Sequence, residues 1–431
     1  MPEPAGDLDV DVLIVGGSVL GHYLAAELGD RYSVCLLTDP AGGDEALESD
    51  GLLSAGYRGT DVGRIQPARR AAGYWKLWAE NHDIAYDAAP SLLVVPPDEE
   101  VATVRFWLDA ALHVEREGPV PSALRGGSAS SHVCFRALDD VVLDPAAMVR
   151  ALRARVEDSC VTGEVVDVTL ANDSAVDAVE ASIDGQIVPI VARYTVFAAD
   201  AANADLLAKV AARTRNAISR RERAEAARTC QAVRKQLQLF VRGPGLPLVT
   251  ASVDGLQIVA HRASSTDVVW IVTPEIDDAA TTLGPEDLRF TPQLDSDAVA
   301  ALLGRLVDVS PLLEEQAATL RWAARVRRKT EHPMMAGPGA GAVGRPSPAK
   351  IESMGLEGFA ALWPGHVSYA MIVGDVAAER IVEHLGRPGG FDHADVARLA
   401  RPGLTLDLEA RFVSEDLEWK DWGAFRSWFS R

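Results

Sequence analysis

The sequence predicts an α/β fold in which a parallel-sheet dinucleotide-binding domain is interleaved with a second, antiparallel-sheet domain. Three observations carry this. Residues 9–37 read as strand, glycine turn, helix and strand, the βαβ unit of a parallel sheet. Residues 237–273 read as short strands separated by Gly- and Asp-containing turns, which marks an antiparallel block. Residues 358–386 return to strand and helix, so the first sheet is completed late in the chain.

Bulk properties narrow the function classes. The chain has 431 residues, 48% hydrophobic and 24% charged, with a net charge of −20. Such an acidic surface disfavours nucleic acid, which needs basic patches against phosphate. It equally disfavours docking on anionic lipid. No apolar run reaches the ~18 residues of a membrane span, and the acidic start lacks the basic and apolar regions of a secretory signal. Cys35, Cys134, Cys160 and Cys230 are scattered without metal-like spacing. We therefore expect no metal site, no disulfide framework and a cytoplasmic setting.

The elements follow in order. Residues 9–16 are Val- and Ile-rich and suit a buried parallel strand. A helix is expected over 19–28 and a strand over 33–37. Helices over 67–82 and 100–114 flank a strand at 91–95, and 118–131 reads as loop. Asp144 and Pro145 open a helix to 157, as cap and first-turn residue. Residues 161–170 and 174–183 alternate like antiparallel strands, and 194–200 is another apolar strand. Residues 219–236 are charge-rich and start as helix. Strands are expected at 237–242, 255–260 and 267–273, helix over 284–317, and a Gly/Pro-rich loop over 333–349. A strand at 358–363 precedes a helix over 368–386. Trp419, Trp422, Phe425 and Trp428 recur every third residue. That spacing forms one helical face, suited to core packing or a homodimer contact.

Chemistry enters at Gly16-Gly17-Ser18-Val19-Leu20-Gly21. A tight turn after the strand requires Gly16. A tiny residue at 18 lets a pyrophosphate approach the backbone, and Gly21 lets helix and sheet pack closely. The helix N-terminus offers N–H groups and partial positive charge. Ser18 stands where the pattern has its middle glycine, and its hydroxyl is a donor for phosphate. Asp39 falls 23 positions beyond Gly16, at the end of the second strand. An acid there suits a ribose hydroxyl and disfavours NADP.

Five stretches resemble the D-amino-acid-oxidase-type FAD-dependent oxidoreductases, which include glycine oxidase, sarcosine oxidase and glycerol-3-phosphate dehydrogenase relatives. They are DVLIVGGSVLGHYLAAEL (11–28) with Asp39, SDGLLSAGYRGTDVGRIQPARRAAGYWKLW (49–78), VVLDPAAMVRALRARV (141–156), TGEVVDVTL (162–170) with YTVFAADAANADLL (194–207), and LEGFAALWPGHVSYAMIVGDVAAERIV (356–382). The resemblance implies a Rossmann-like FAD-binding domain with an interleaved antiparallel-sheet substrate domain of α+β type. FAD binding is expected from 1–90, 140–215 and 333–390. The substrate domain would comprise 91–139 and 216–332, and 391–431 would be an aromatic helical tail. By the same resemblance Gly16, Gly17, Ser18, Leu20 and Gly21 surround the FAD pyrophosphate, and Asp39 and Pro40 lie at the adenosine ribose. Ser54, Ala55, Gly56 and Tyr57 pass beside the pyrophosphate and isoalloxazine. Val166 meets the adenine through its backbone, and Ala199 belongs to the turn that closes on it. Gly365, His366, Val367 and Ser368 offer amides to the flavin's pyrimidine edge. Asp200 departs from the family's glycine.

The implied reaction takes hydride from a C–N or C–O bond of a small or natural-product substrate to flavin N5, in an oxidase or dehydrogenase. Residues 325–333 resemble the family's substrate-carboxylate stretch, which maps Arg327 or Arg328 onto its arginine. A basic solvated strand is the competing reading. His366 and Tyr369 sit where the last loop meets flavin, His261 ends a strand of the substrate domain, and Tyr57-Arg58 follows the small-residue segment. Each has a packing alternative. Trp363 suits the core. An aromatic-ring hydroxylase is the second reading, although no His or Pro follows Gly374-Asp375 as that class requires. A non-catalytic flavin-binding protein is the third. The divergent motif residues suggest secondary metabolism.

Overall fold

The computed structural model describes residues 7–39, 48–57, 62–87, 91–274, 282–283, 294–331, 350–400 and 417–422. Two large sheets organise them. In the first, the strand order is Glu164–Ala171, Ala175–Ile183, Gln186–Phe197, Leu8–Val15, Val34–Thr38, Cys160–Thr162. Leu8–Val15 runs parallel to both of its neighbours. Phe359–Trp363 adds a parallel strand against the end of Gln186–Phe197, with Thr195 opposite Phe359.

Burial on both faces explains the continuous apolar runs. Val12 and Ile14 point into a core shared with the helices Val19–Gly29 and Ala370–Leu385. Leu13 and Val15, which alternate with them, meet Leu206, Leu207 and Val210 of the helix Asn203–Arg213. Tyr23 locks the first helix to the last one. Its hydroxyl donates to Asp375 at 2.7 Å, and its ring occupies the space where a Cβ on Gly374 would lie, 2.5 Å from Cδ1.

The second sheet has ten strands. Ala232–Gly243 and Arg321–Glu331 form its longest antiparallel pair. Val241, Ile258, Trp270 and Trp322 pack beneath the helix Ser296–Val309. Ser91–Val95, Val114–Pro119 and Val133–Ala137 join this sheet through Ser91–Val95, which lies parallel to Ala251–Val253. Residues from 91–137 and 232–331 thus build one sheet, and the chain crosses between the two sheets repeatedly.

Several expectations need correction. The helix Ala217–Thr229 belongs with the first sheet, not the substrate domain: Ala227 and Cys230 enter that core, and Arg223 donates to the carbonyls of Met354 and Asp173. Ala227 and the buried Arg223 form its inward side, which the charge count concealed. The helix expected to reach 114 ends at Asp109. Ala111 then turns the chain with φ +55°, and Val114–Pro119 is strand rather than helix end or loop. Within 284–317 the described helices are Ser296–Val309 and Leu312–Glu315. At 419–422 the aromatic spacing is not helical. Lys420–Asp421 pairs with Arg321 and Trp322 as strand, and Trp422 is buried in the second core. Phe425 and Trp428 lie outside the described residues. No helix among the described residues is long and apolar enough to cross a membrane.

Candidate active site

A cavity opens at the carboxyl ends of the parallel strands, where ligands of open α/β sheets bind. Three turns, the second sheet and the segment at Ser49 form its wall: Ser18, Val19 and Leu20; Asp200; Trp363 to Val367; Arg327 and Thr330; and Ser49.

The first turn is the glycine turn. Gly16 has φ +127°, and a Cβ there would lie 2.4 Å from the carbonyl oxygen of Ala198. Its amide donates to Leu37, so the turn is stitched between neighbouring strand ends. A Cβ on Gly21 would lie 2.1 Å from the Gly16 oxygen, so the helix rests directly on the turn. Val19 and Leu20 begin the helix, where N–H groups have no intrahelical acceptor. Ser18 corrects one expectation. Its hydroxyl donates to Ala198 at 2.8 Å and accepts from the Gly21 amide at 3.3 Å. Its single hydrogen goes to this cross-link rather than to a phosphate, and its oxygen caps the helix.

The second and third turns are braced by side chains that the sequence did not single out. Asn203 is fully buried. It accepts from the Ala199 amide and donates to the Leu362 carbonyl, both at 2.9 Å. That fixes the Ala199–Asp200 turn against the last strand. Asp200 holds φ +46°, which suits the glycine expected at this position. Trp75 is fully buried and donates to the Ser368 carbonyl at 2.9 Å. The Ser368 amide and hydroxyl both reach Nδ1 of His366, at 3.2 and 2.8 Å. Nδ1 is therefore the acceptor, and the neutral ring carries its proton on Nε2. Ser368 consequently spends its amide within the turn, while Gly365 and Val367 remain on the cavity wall.

Arg327 comes from the second sheet. Strand alternation puts Arg325 and Arg327 on one face and Arg328 on the other; the side chain of Arg328 lies outside the described residues. Arg327 is 8% exposed, and donates to Gln236 and to the carbonyl of Glu48.

Other predicted residues do not line the cavity. Tyr57 is buried edge-on against Trp107, and its hydroxyl donates to Asp139 at 2.9 Å. Burial and that carboxylate keep it protonated. His261 donates from Nε2 to the carbonyl of Asp50 at 2.6 Å, joining the second sheet to the segment before the cavity. Tyr369 is buried in the first core, at the start of the last helix. Ala55 gives its amide to Asp140, and Ser54 accepts from Gly56, so this segment is tied away from the cavity. Ser49, five residues earlier, lines it instead. Val166 is 44% exposed on the outermost strand, and its carbonyl accepts from Lys209. Asp39 is exposed at the end of the second strand. Pro40 and Arg58 lie outside the described residues.

Beneath the glycine turn, His22 is 1% exposed. Nδ1 faces the Ser18 carbonyl at 3.0 Å, and Nε2 has no partner. Burial pulls its pKa from 6.5 to about 4. The unfolded chain therefore binds this proton more readily than the native one. Stability from His22 is complete above pH 6.5 and drains as pH falls toward 4. The full loss is about 3 kcal/mol. Urea unfolding at stepped pH should show this slope, and His22→Leu should flatten it. An unchanged slope would place the acid sensitivity elsewhere.

A parallel sheet with a glycine turn at its carboxyl edge, faced by a second sheet that supplies a cation, defines a two-domain dinucleotide-binding protein. The model of the DAO family, FAD dependent oxidoreductase, matches residues 11–378. The chain belongs to this family and is an FAD-dependent oxidoreductase. Among solved structures, it is similar to an FAD-dependent oxidoreductase from Pseudomonas aeruginosa, at 18% identity and TM-score 0.65, covering 91% of this chain and 94% of the other. It is similar to glycine oxidase from Geobacillus kaustophilus, at 18% identity and TM-score 0.62, with 90% and 98% covered. It is also similar to L-alpha-glycerophosphate oxidase from Mycoplasma pneumoniae with FAD bound, at 14% identity and TM-score 0.61, with 87% and 95% covered. Such identities establish likeness of fold. A comparison with curated proteins finds no match. The residues present fit FAD. The tight turn at Gly16 leads into Ser18, Val19 and Leu20, which meet the Gly365 loop at one cavity.

Proposed function

We propose that this enzyme oxidises a C–N or C–O bond of a small substrate bearing a carboxylate, which Arg327 holds against the cofactor. The supporting observation is the placement of Arg327. A guanidinium from the substrate sheet lines the same cavity as the glycine turn and the 363–367 loop. When bound, FAD supplies the acceptor for the hydrogen and electron pair leaving the substrate carbon.

The chain's own residues orient and shield. Arg327 presents a planar fork to a carboxylate, which sets position and angle together. Gln236 and the Glu48 carbonyl hold that fork still. Val19, Leu20, Trp363 and Val367 exclude water from the cavity. His366, with Nδ1 bound to Ser368, has its proton at Nε2 for developing negative charge beside it.

The test begins with the absorbance spectrum of the purified protein and the cofactor released on denaturation. FAD in the supernatant, together with anaerobic bleaching of the native holoenzyme by an amino or 2-hydroxy acid but not by its decarboxylated analogue, supports the reading. Bleaching by neutral amines or alcohols at equal rates would remove the carboxylate from it. FAD that no substrate reduces would favour the non-catalytic alternative.

A further inference from the structure

The proposed function uses one guanidinium, and the strand that carries it holds two. Arg325 and Arg327 share one face of Arg321–Glu331. Across the strand pair they stand opposite Gln238 and Gln236. Arg325 donates Nε to the Gln238 oxygen at 2.7 Å, and Arg327 does the same to Gln236 at 2.5 Å. Both also donate a terminal nitrogen to one backbone oxygen, that of Glu48, at 2.9 and 3.1 Å. Two Arg–Gln pairs therefore converge beside the cavity that Ser49 and Arg327 line.

This arrangement gathers two positive charges at one edge of the cavity. Burial pulls the Arg325 pKa down to about 10; Glu48 opposes that shift and the neighbouring Arg327 charge adds to it. The four bonds just named all end on neutral amide or peptide oxygens. Asp50 is also close, yet its carboxylate already accepts from the Leu52 amide and from Gln257. A carboxylate that meets two adjacent cations whose direct hydrogen bonds all end on neutral oxygens gains charge-assisted bonds from both. The four bonds to Gln238, Gln236 and the Glu48 carbonyl leave Nη1 of Arg325 and Nη2 of Arg327 for a further acceptor. Gln238, fully buried, adds an Nε2 donor without a partner on the Arg325 side.

We propose that this ladder seats two acidic groups, so the substrate is a dianion whose second carboxylate lies at Arg325. The inference rests on Arg327 holding the first. An amino or 2-hydroxy acid with one carboxylate at the reacting carbon and another a few bonds away has the required chemistry.

The FAD-loaded protein is titrated with acetate, malonate and succinate, and binding is read from the perturbed flavin absorbance. Malonate or succinate should bind about tenfold or more tightly than acetate. Arg325→Gln should erase that preference and leave acetate affinity in place, while Arg327→Gln should weaken all three. Should Arg325→Gln lose its FAD, Arg325→Lys is read instead, with a reduced preference expected. Equal binding of mono- and dicarboxylates, or a preference that survives at Arg325→Gln, overturns the dianion while leaving Arg327 as anchor. Acetate binding indifferent to Arg327→Gln overturns the anchor itself, and the dianion with it.

Discussion

Arg327→Gln should raise KM by about 100-fold, with kcat little changed and FAD retained in full. A charge-assisted, two-pronged contact contributes about 2–3 kcal/mol, and each 1.4 kcal/mol is about tenfold in affinity. The contact holds substrate and transition state alike, so its loss falls on KM rather than on kcat. FAD retention follows from position: Arg327 sits on the second sheet, away from the glycine turn, and bonds to Gln236 and the Glu48 carbonyl. Glutamine keeps a donor for Glu48 and removes the charge. Arg327→Lys should fall between, because one ammonium cannot serve Gln236, Glu48 and a carboxylate in a single plane. Steady-state kinetics with flavin content as control would decide. A fall in kcat at constant KM would assign Arg327 to the reaction step and not to substrate capture.

What the sequence made legible was whatever depends on local backbone rules. The turn at Gly16, the helix from Val19 and the acid at Asp39 follow from spacing within one βαβ unit, and the structure has them in that order. Asp144 caps its helix through the Ala146 amide at 2.8 Å, a purely local bond. Arg327 was readable down to the choice between it and Arg328, which strand alternation resolves once the register is known. The braces were not readable. Asn203 reaches Leu362, Trp75 reaches Ser368, and Asp140 reaches Ala55, across separations of 159, 293 and 85 residues. No local pattern announces a partner that far along the chain. Tyr57 and His261 stay off the cavity wall for the opposite reason. Their sequence neighbourhood is right, but each finds a nearer polar partner in Asp139 or Asp50 and turns to it.

Those distant bonds explain how an interleaved chain holds a single site. The segment 48–50 is gripped from the second sheet by Arg325 and Arg327 at the Glu48 carbonyl, by Gln257 at the Asp50 carboxylate and by His261 at the Asp50 carbonyl. The 366–368 turn is gripped from the helix Val62–Asn81 through Trp75. Cavity walls contributed by separate stretches are thus positioned by side chains with buried, hydrogen-bonded ends. Such ends cannot shift without stranding a polar group, which costs about 1–3 kcal/mol each. Rigid walls are what a planar cofactor and a small oriented substrate require.

The glycine turn gives the second large effect. Gly16→Ala should abolish FAD retention and lower stability by about 4 kcal/mol, summing backbone strain and overpacking of about 1–3 kcal/mol each. Alanine at φ +127° is disfavoured before any contact is counted, and its Cβ would sit 2.4 Å from the Ala198 oxygen. That oxygen belongs to the strand end fixed by Ser18 and by the Ala198–Val15 bond, so it cannot retreat alone. Gly21→Ala tests the same geometry without the φ term. Its Cβ would lie 2.1 Å from the Gly16 oxygen, forcing the helix off the turn and moving its first amides away from the diphosphate. Gly29→Ala, at the far end of the same helix, meets nothing within 4 Å. It should keep FAD and change stability by less than about 1 kcal/mol. Flavin content after desalting, with thermal unfolding on the same samples, separates the cases. If Gly16→Ala and Gly21→Ala hold FAD as firmly as Gly29→Ala, the diphosphate does not rest on this turn, and the cofactor must enter the sheet edge elsewhere.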